Sequence, residues 1–403
     1  MQDNEKKPAL RFKGFTDPWE QRKFSDITFP AGEKNRDNLP LESYSITNEH
    51  GFIPQDEKFE NGGTMREADK RMYYIVSPNS FAYNPARINV GSIGYQNTGK
   101  DVIVSSLYEV FKTSDDVDDR LLWHWFKSPD FQKLIFQLQE GGVRLYFYYD
   151  KLCMGTVSLP SLEEQRKIGQ FFDSLDTLIT LHQRKYEKLL NIKKSMLDKM
   201  FPQNGVSVPE IRFKGFTDPW EQRKISELAE KTYGGGTPTT SNEAFWNGNI
   251  PWIQSSDIVD GKLMGVEPRK YITQTGLNNS ATQLVPKDSI AIITRVGVGK
   301  LAYMPFSYST SQDFLSLSKL NTEPFFTVYA CYKKLQSELN TVQGTSIKGI
   351  TKDELLAKTI SVPVYSEQKQ IGSFFTQLDT LITLHQREHI KPILEVKRVK
   401  RNE

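Results

Sequence analysis

A long exact repeat constrains this chain more than any other feature. The thirteen residues from Arg11 to Lys23 recur without change from Arg212 to Lys224, an offset of 201 positions. A second block, from Glu164 to Arg184, recurs from Glu367 to Arg387 with 16 of its 21 positions identical. Thirteen consecutive identities exclude chance, so the chain contains an internal duplication.

Two inserts of nearly equal length lie between these constant blocks. Residues 24–160 and 225–363 share almost no identity, although their lengths differ by only two residues. A solenoid needs shorter and more numerous repeats, and a plain duplication diverges evenly along its length. Identical blocks around dissimilar inserts therefore predict two domains of one kind, which we call heads. The constant segments that carry them form a duplicated support, which we call the frame. The predicted segments are 1–23, 24–160 (head 1), 161–224, 225–363 (head 2) and 364–403.

The second constant block has the pattern of a coiled-coil helix. Apolar residues recur at alternating spacings of four and three, which is narrower than the apolar face of a globular helix. Pro160, then Ser161 with Glu164 three residues later, resembles a helix start with a capping box. A helix over 163–200 is roughly 57 Å long. The predicted seam residues are Ile168, Phe172, Leu175, Ile179, Tyr186 and Leu189, then Ile371, Phe375, Leu378 and Ile382 in the second copy.

The second copy departs from the first near its end. Pro392 stands where the first copy has Leu189, and proline inside a helix removes a hydrogen bond and clashes with the preceding turn. We therefore expect a shortened or frayed second helix, followed by a solvated basic tail. His182 lies on the seam, where packing explains it better than metal ligation.

The inserts have the pattern of α+β domains. Segments 72–76, 101–104 and 289–294 are rich in β-branched or aromatic residues and predict strands. Helices are predicted over 117–140 and 324–343, each followed by glycine. Both heads thus share an order of strands, then a helix, then a closing strand.

Composition excludes several classes of protein but selects none. Cys153 and Cys331 are the only cysteines, too few for a disulfide framework or a cysteine-rich metal site. No stretch approaches the roughly 20 apolar residues that span a bilayer, and the amino terminus has no apolar leader pattern. These features predict a cytoplasmic protein. The net charge of +3 is weak support for a nucleic-acid partner.

Motifs for catalysis are missing from the sequence. The segment from Gly94 to Lys100 fits the start of a phosphate loop, but Asp101 replaces the hydroxyl residue that binds magnesium. Asn84-Pro85 lacks the second proline and the aromatic residue of an amino-methyltransferase motif. We therefore predict no catalytic residues and no metal site in this chain.

The order of blocks resembles that of the specificity subunits of Type I restriction–modification systems over nearly the whole chain. Local motifs agree: the segment from Phe81 to Gly94 in head 1, and Gly235-Gly-Thr-Pro238, Ile250-Pro-Trp252 and the segment from Gly344 to Ile350 in head 2. The shortened second helix is the departure from the family pattern.

This resemblance implies a fold, a function and a set of partners. It implies two α+β target-recognition domains separated by long helices that form an antiparallel coiled coil, with an internal pseudo-two-fold repeat. Each domain would read one half of a bipartite, asymmetric site on double-stranded DNA. Two methyltransferase subunits would dock on the frame, and motor–nuclease subunits would join through them. Cofactors (S-adenosylmethionine, ATP and magnesium) would belong to those partners and not to this chain, which would be cytoplasmic and nucleoid-associated on DNA.

Candidate DNA contacts are basic, amide, hydroxyl and aromatic residues in turn-rich segments, because phosphates need cations and base edges need donors and acceptors. The head 1 candidates are Lys34, Asn35, Arg36, Arg66, Lys70, Arg71, Arg87, Asn89, Gln96, Asn97, Lys100, Arg144, Tyr146 and Tyr148. The head 2 candidates are Thr237, Thr239, Gln254, Ser255, Arg295, Lys300, Gln312 and Lys348. The alternative from another class is a coiled-coil scaffold whose heads bind proteins.

Overall fold

The computed structural model describes residues 8, 10–48, 51–58, 69–141, 145–203, 206–341 and 349–399. The chain forms two compact units, residues 1–178 and 179–403. The long helix of the first repeat crosses this boundary, so that its beginning belongs to unit 1 and its end to unit 2.

Unit 1 contains head 1. Its strands are β1 (Glu20–Lys23), β2 (Thr28–Pro30), β3 (Glu33–Lys34), β4 (Tyr44–Thr47), β5 (Gly51–Pro54), β6 (Tyr74–Val76), β7 (Phe81–Tyr83), β8 (Ile93–Tyr95), β9 (Val102–Val104), β10 (Glu109–Thr113) and β11 (Thr156–Leu159). Its helices are α1 (Phe24–Ile27), α2 (Gln55–Lys58), α3 (Asp119–Phe126), α4 (Pro129–Leu138), α5 (Tyr149–Met154) and the start of α6 (Leu162–Lys199).

Unit 2 contains head 2 and the end of α6. Its strands are β12 (Glu221–Lys224), β13 (Ala229–Gly234), β14 (Trp246–Ile253), β15 (Lys270–Ile272), β16 (Ser289–Ile293), β17 (Leu301–Met304), β18 (Ser309–Thr310), β19 (Phe314–Leu320) and β20 (Thr359–Val362). Its helices are α7 (Gln274–Asn278), α8 (Pro324–Thr341), α9 (Lys352–Ala357) and α10 (Tyr365–Val399).

The two heads have the same ground plan. The central sheet of head 1 has the order β2-β10-β7-β8, and that of head 2 has the corresponding order β13-β19-β16-β17. In both, the strand of the constant block pairs with the closing strand, β1 with β11 and β12 with β20. The predicted α+β class and internal repeat are confirmed.

Alternating residues of the central strands enter two different cores, one on each face of the sheet. In β16, Ile290 and Ile292 face the core that contains α8, whereas Ala291 and Ile293 join the core beside β14. In head 1, Phe81 packs toward the helices and the neighbouring Ala82 packs toward β4 and β9. Because both faces are covered, these strands are nearly continuous apolar runs.

An ion pair at the start of each long helix explains part of the constant sequence. Arg11 donates from Nε and Nη2 to the two carboxylate oxygens of Glu164, each at 2.7 Å. Arg212 binds Glu367 in the same way, at 2.7 and 2.8 Å. Both glutamates are fully buried, so each carboxylate depends on its arginine. Both oxygens of the Glu164 carboxylate, the residue that resembles part of a capping box in the sequence, bind Arg11.

The next residue of each helix holds the head by its backbone. The Gln165 side chain accepts from the Asp118 N–H at 2.9 Å and donates to the Pro160 carbonyl at 2.9 Å. Gln368 does the same with Glu323 N–H and the Pro363 carbonyl, both at 2.8 Å. These bonds require only main-chain atoms of the head, so they tolerate a change of its side chains.

A glycine one turn later lets each head approach its helix. A Cβ on Gly169 would lie 2.7 Å from Asp118 Oδ1, and a Cβ on Gly372 would lie 2.5 Å from Glu323 Oε2. Neither glycine has a positive φ. Space, and not backbone conformation, therefore requires glycine at both positions.

Within unit 2, helices α6 and α10 pair in the antiparallel direction. Lys193 pairs with Asp379 at 2.6 Å, and Nδ1 of His182 lies 3.0 Å from Nδ1 of His385. The residue number falls on α10 as it rises on α6, which defines the antiparallel direction. His182 and His385 are equivalent positions of the repeat.

Four seam positions lie against the heads. Ile168 packs on the head 1 core, and Phe172 contacts the His124 ring at 5.1 Å while 41% exposed. Ile371 and Phe375 belong to the head 2 core. The first three turns of each helix thus serve head attachment, which corrects the seam prediction there. The remaining seam positions are half-buried or buried: Leu175, Ile179, Tyr186, Leu189, Leu378 and Ile382.

Two helix predictions need correction. Helix α10 runs through Pro392 to Val399, so the expected shortening is wrong. The single helix expected over 117–140 is two helices, because Ser128 caps α4 with Pro129 at its first turn.

We expect Arg11→Ala to destabilise unit 1 by about 3 kcal/mol, because it leaves the buried Glu164 carboxylate without its partner. Arg22→Ala is the matched control, since the Arg22–Asp116 pair is exposed and contributes about 1 kcal/mol or less. Thermal denaturation of the full chain measures both. Equal transition temperatures for the two variants would contradict the role given to the buried pair.

Candidate nucleic-acid interface

Two basic clusters that are separate in the sequence meet at one edge of head 1. Strand β3 pairs with β6, so Lys34 lies beside the 70–74 segment. Lys34 Nζ donates to the Met72 carbonyl at 3.0 Å and lies 3.7 Å from the centre of the Tyr74 ring. Arg36 and Arg71 are exposed, and Lys70 is half-buried. We name this set the β3–β6 basic edge: Lys34, Arg36, Lys70 and Arg71.

A second group of candidates lies at the loop between β7 and β8. Arg87 and Asn89 are exposed on this loop. The Phe147 N–H donates to the Pro85 carbonyl at 3.1 Å, which brings the 146–148 segment against the loop. The rings of Tyr146 and Tyr148 stack in parallel with centroids 5.6 Å apart, and Tyr148 is 49% exposed.

The remaining head 1 candidates lie elsewhere. Asn97 and Lys100 follow the far end of β8, at the opposite end of the β7–β8 hairpin from Arg87. Lys100 donates to Glu42 at 2.5 Å, and this hydrogen bond raises the pKa of the lysine. A strand follows Lys100, which supports the rejection of a phosphate loop.

Two amide candidates are buried and form hydrogen bonds within head 1. Asn35 is 1% exposed and exchanges two hydrogen bonds with the Leu39 backbone. Gln96 is fully buried and binds the carbonyls of Val76 and Lys100 and the N–H of Thr98. Since neither amide reaches the surface, both leave the set of candidate contacts.

Head 2 gathers most of its candidates in one place. The Gly236 N–H donates to the Thr310 carbonyl at 2.8 Å, and the Ser311 N–H donates to the Ile253 carbonyl at 2.9 Å. The Thr237 hydroxyl donates to Gln312 Oε1 at 2.8 Å. These bonds place Thr237, Gln312, Gln254 and Ser255 in adjoining loops.

The loop between β16 and β17 joins the same group. Thr294 donates from its N–H and its hydroxyl to the Asp313 carbonyl, at 2.7 and 3.0 Å. Arg295 follows it and is exposed, and Lys300 closes the loop half-buried. We name the adjoining loops 235–237, 254–255, 294–300 and 311–313 the head 2 loop cluster.

Sequence reasoning missed a lysine beside this cluster. Lys270 Nζ lies 5.9 and 5.8 Å from the ring centres of Trp246 and Trp252. Trp252 is buried and donates to the Gly236 carbonyl at 3.0 Å, and Trp246 donates to the Thr239 carbonyl at 3.2 Å. The tryptophans anchor the cluster, and Lys270 adds a positive charge. A single lysine in a strand carries no sequence signal that would have identified it.

A second surface was also missed. Leu178 and Leu181 are 51% and 55% exposed on α6, and their repeat equivalents Leu381 and Leu384 are 45% and 47% exposed on α10. These leucines lie outside the seam positions of the heptad pattern. We name these two pairs the outer leucines.

Three candidates, Arg66, Arg144 and Lys348, lie outside the described residues. Within the described ranges, no group of three or more histidine, cysteine or carboxylate side chains is arranged to hold a metal ion. The helices described are all too short or too polar to cross a bilayer.

Comparison with known families gives a match over most of the chain. The model of the Type I restriction modification DNA specificity domain matches residues 52–191 and again residues 217–394. The first match covers head 1 from residue 52 onward and the second covers all of head 2, each with part of the following helix.

Individual relatives match parts of the chain. A Type I restriction enzyme EcoR124I/EcoR124II specificity subunit from Escherichia coli is 30% identical over 40% of this chain and 41% of the relative. The MjaIX specificity subunit from Methanocaldococcus jannaschii is 28% identical over 40% of this chain and 38% of its own length. The chain thus spans about two fifths of these two relatives.

Solved structures share the fold over nearly the full length. A Type I restriction–modification S subunit from M. genitalium aligns with TM-score 0.59 and 14% identity, over 98% of this chain and 97% of that one. A chain from a study of assembly and conformational transition of the type I R-M system aligns with TM-score 0.51 and 17% identity, over 97% of both chains.

We expect Gly235→Ala to disrupt the head 2 loop cluster, because the added Cβ would lie 1.8 Å from the Ser311 carbonyl oxygen. The neighbouring Gly234→Ala is the matched control, since its Cβ meets nothing within 4 Å. Amide hydrogen exchange of the peptide over 310–313 should accelerate at least tenfold in the first variant, a loss of about 1.4 kcal/mol in local stability. The same exchange rate in both variants would contradict the packing described.

Proposed function

This chain belongs to the Type I restriction–modification DNA specificity family, and on that basis we propose that it reads a two-part DNA sequence for a methyltransferase–nuclease complex. The observation that carries this proposal is that the two heads share one fold but expose different side chains. The central sheets correspond strand for strand, whereas their loops carry different side chains. Two heads of this kind recognise two different half-sites on double-stranded DNA.

The exposed polar groups support DNA as the ligand. The β3–β6 basic edge supplies positive charge for phosphates in head 1. The head 2 loop cluster supplies hydroxyl and amide groups beside Arg295, which is the chemistry of base-edge readout. We assign the surface candidates of both heads to DNA contact.

The outer leucines support docking of two methyltransferase subunits. Apolar side chains that are half exposed at equivalent positions of two helices provide two copies of one contact surface. Motor–nuclease subunits then join through the methyltransferases.

We assign no reaction to this chain. S-adenosylmethionine, ATP and magnesium are cofactors of the partner subunits in this proposal. The complex acts in the bacterial cytoplasm, at the nucleoid when it is bound to DNA.

The alternative is a scaffold whose heads bind proteins and not DNA. The half-exposed aromatic pair of Tyr146 and Tyr148 is the observation that favours it, because aromatic residues are enriched at protein interfaces. Exchange of one head distinguishes DNA readout from protein binding.

Replacement of residues 24–160 by the same segment of another specificity subunit should change one half of the methylated sequence only. The reason is that Gln165 and Gln368 hold the heads through main-chain atoms, so the frame accepts a different head. Methylation mapping of cells that carry the chimera and its partner subunits measures this. A change in both halves contradicts independent heads, and an unchanged sequence supports the scaffold.

Leu178→Ser with Leu181→Ser should remove one methyltransferase subunit, and Leu381→Ser with Leu384→Ser the other. Because each leucine is about half exposed, burial of a pair contributes roughly 1.5–3 kcal/mol, or roughly a 10- to 100-fold change in affinity. Native mass measurement of the co-expressed complex gives the stoichiometry. Leu107→Ser, at a leucine 76% exposed in head 1, is the control. Two bound subunits in a variant that carries all four leucine substitutions would contradict this docking surface.

A further inference from the structure

The two heads carry an equivalent hairpin loop. Loop 84–92 joins β7 to β8, and loop 294–300 joins β16 to β17, strands that occupy the same places in their sheets. The Phe147 N–H binds the first of these loops at the Pro85 carbonyl, and the Ile350 N–H binds the second at the Thr294 carbonyl, at 3.1 and 2.8 Å. Phe147 and Ile350 are separated by 203 residues, the offset of the constant helix block. The loops are therefore structural counterparts, although their sequences differ.

Each loop presents an arginine close to an exposed valine. Arg87 is exposed with Val90 three residues later, and Arg295 is exposed with Val296 directly after it. The valines are 57% and 71% exposed. Within the described part of the chain, neither guanidinium makes an ion pair or a side-chain hydrogen bond, in contrast to Arg11. Two unrelated sequences thus place an exposed arginine on the equivalent hairpin loop of each head.

Both loops are held in place by the rest of the head. In head 1, Ile88 is 1% exposed in the core, and the Ser92 hydroxyl donates to the Ile46 carbonyl at 3.0 Å. In head 2, Thr294 makes its two bonds to Asp313, and a Cβ on Gly299 would lie 2.3 Å from Leu339 Cδ1. A loop that is ordered before binding loses little entropy on contact with a ligand, so its side chain is suited to selective recognition.

We infer that Arg87 and Arg295 are specificity-determining residues, each of which reads a guanine edge in its own half of the DNA target. This inference rests on the proposed function. Arginine matches the O6 and N7 acceptors of guanine in the major groove with two parallel hydrogen bonds, and an exposed valine on the same loop matches a thymine methyl group. The first loop is two residues longer and adds the exposed Asn89, so the two loops read different sequences.

Phosphate binding is the competing role for an exposed arginine. A phosphate accepts lysine in place of arginine, because a single point charge is sufficient. A guanine edge that is read by the planar fork of arginine does not. The conservative substitution therefore distinguishes the two roles.

The experiment uses the complete complex with its methyltransferase subunits and compares Arg87→Lys, Arg295→Lys and the control Arg36→Lys. Arg36 lies on the β3–β6 basic edge, where we place phosphate contact. Methylation mapping gives the base preference at every position of both half-sites. Arg87→Lys should reduce discrimination at one position of one half-site by roughly 10- to 100-fold, and Arg295→Lys should do so in the other half-site only. Arg36→Lys should leave every preference unchanged.

Two results would overturn the inference. Unchanged preferences in both hairpin variants would show that the loops do not read bases. A uniform loss of methylation, with no position relaxed and with recovery at lower salt, would show phosphate contact. Failure of the proposed function looks different, because the wild-type complex would then methylate no two-part sequence at all.

Discussion

The buried ion pair between Arg11 and Glu164, repeated as Arg212 and Glu367, fixes the first turn of each long helix to the start of its own repeat. A fully buried carboxylate is tolerated only with a partner of good geometry, and the two-point contact of arginine provides it. The following glutamine and glycine then hold the head by main-chain bonds and by close approach. The arginine, glutamate, glutamine and glycine that recur in both repeats are thus the residues that join each long helix to its head.

Much of this architecture follows from the sequence. Sequence identity marked the residues of the frame, and heptad spacing gave the extent of α6 to within a residue at each end. Local patterns were less reliable at two positions. Glu164 matched a capping signal, but Arg11 from a distant segment occupies it. Pro392 matched a stop signal, but α10 continues past it.

The candidate interface was less accessible to sequence reasoning, for a physical reason. Residue type identifies a possible contact, whereas burial decides whether it is available. Asn35 and Arg36 are neighbours of similar polarity, yet one amide is enclosed by backbone groups and the other side chain is exposed. The equivalence of Arg87 with Arg295 was also hidden, because it depends on strand order and not on any shared motif.

The contacts of Gln165 and Gln368 have a consequence for how such chains diversify. A glutamine that binds one N–H at a helix start and one carbonyl at the end of a closing strand imposes no condition on the side chains of the head. A domain of this topology that offers those two main-chain groups satisfies this part of the attachment, to which side-chain contacts such as that of Phe172 with the His124 ring add their own conditions. With two such attachment points in one chain, the number of distinct pairs grows as the square of the number of compatible heads. Under the proposed function, exchange of a whole domain would change the specificity without simultaneous change in the main-chain contacts that hold it.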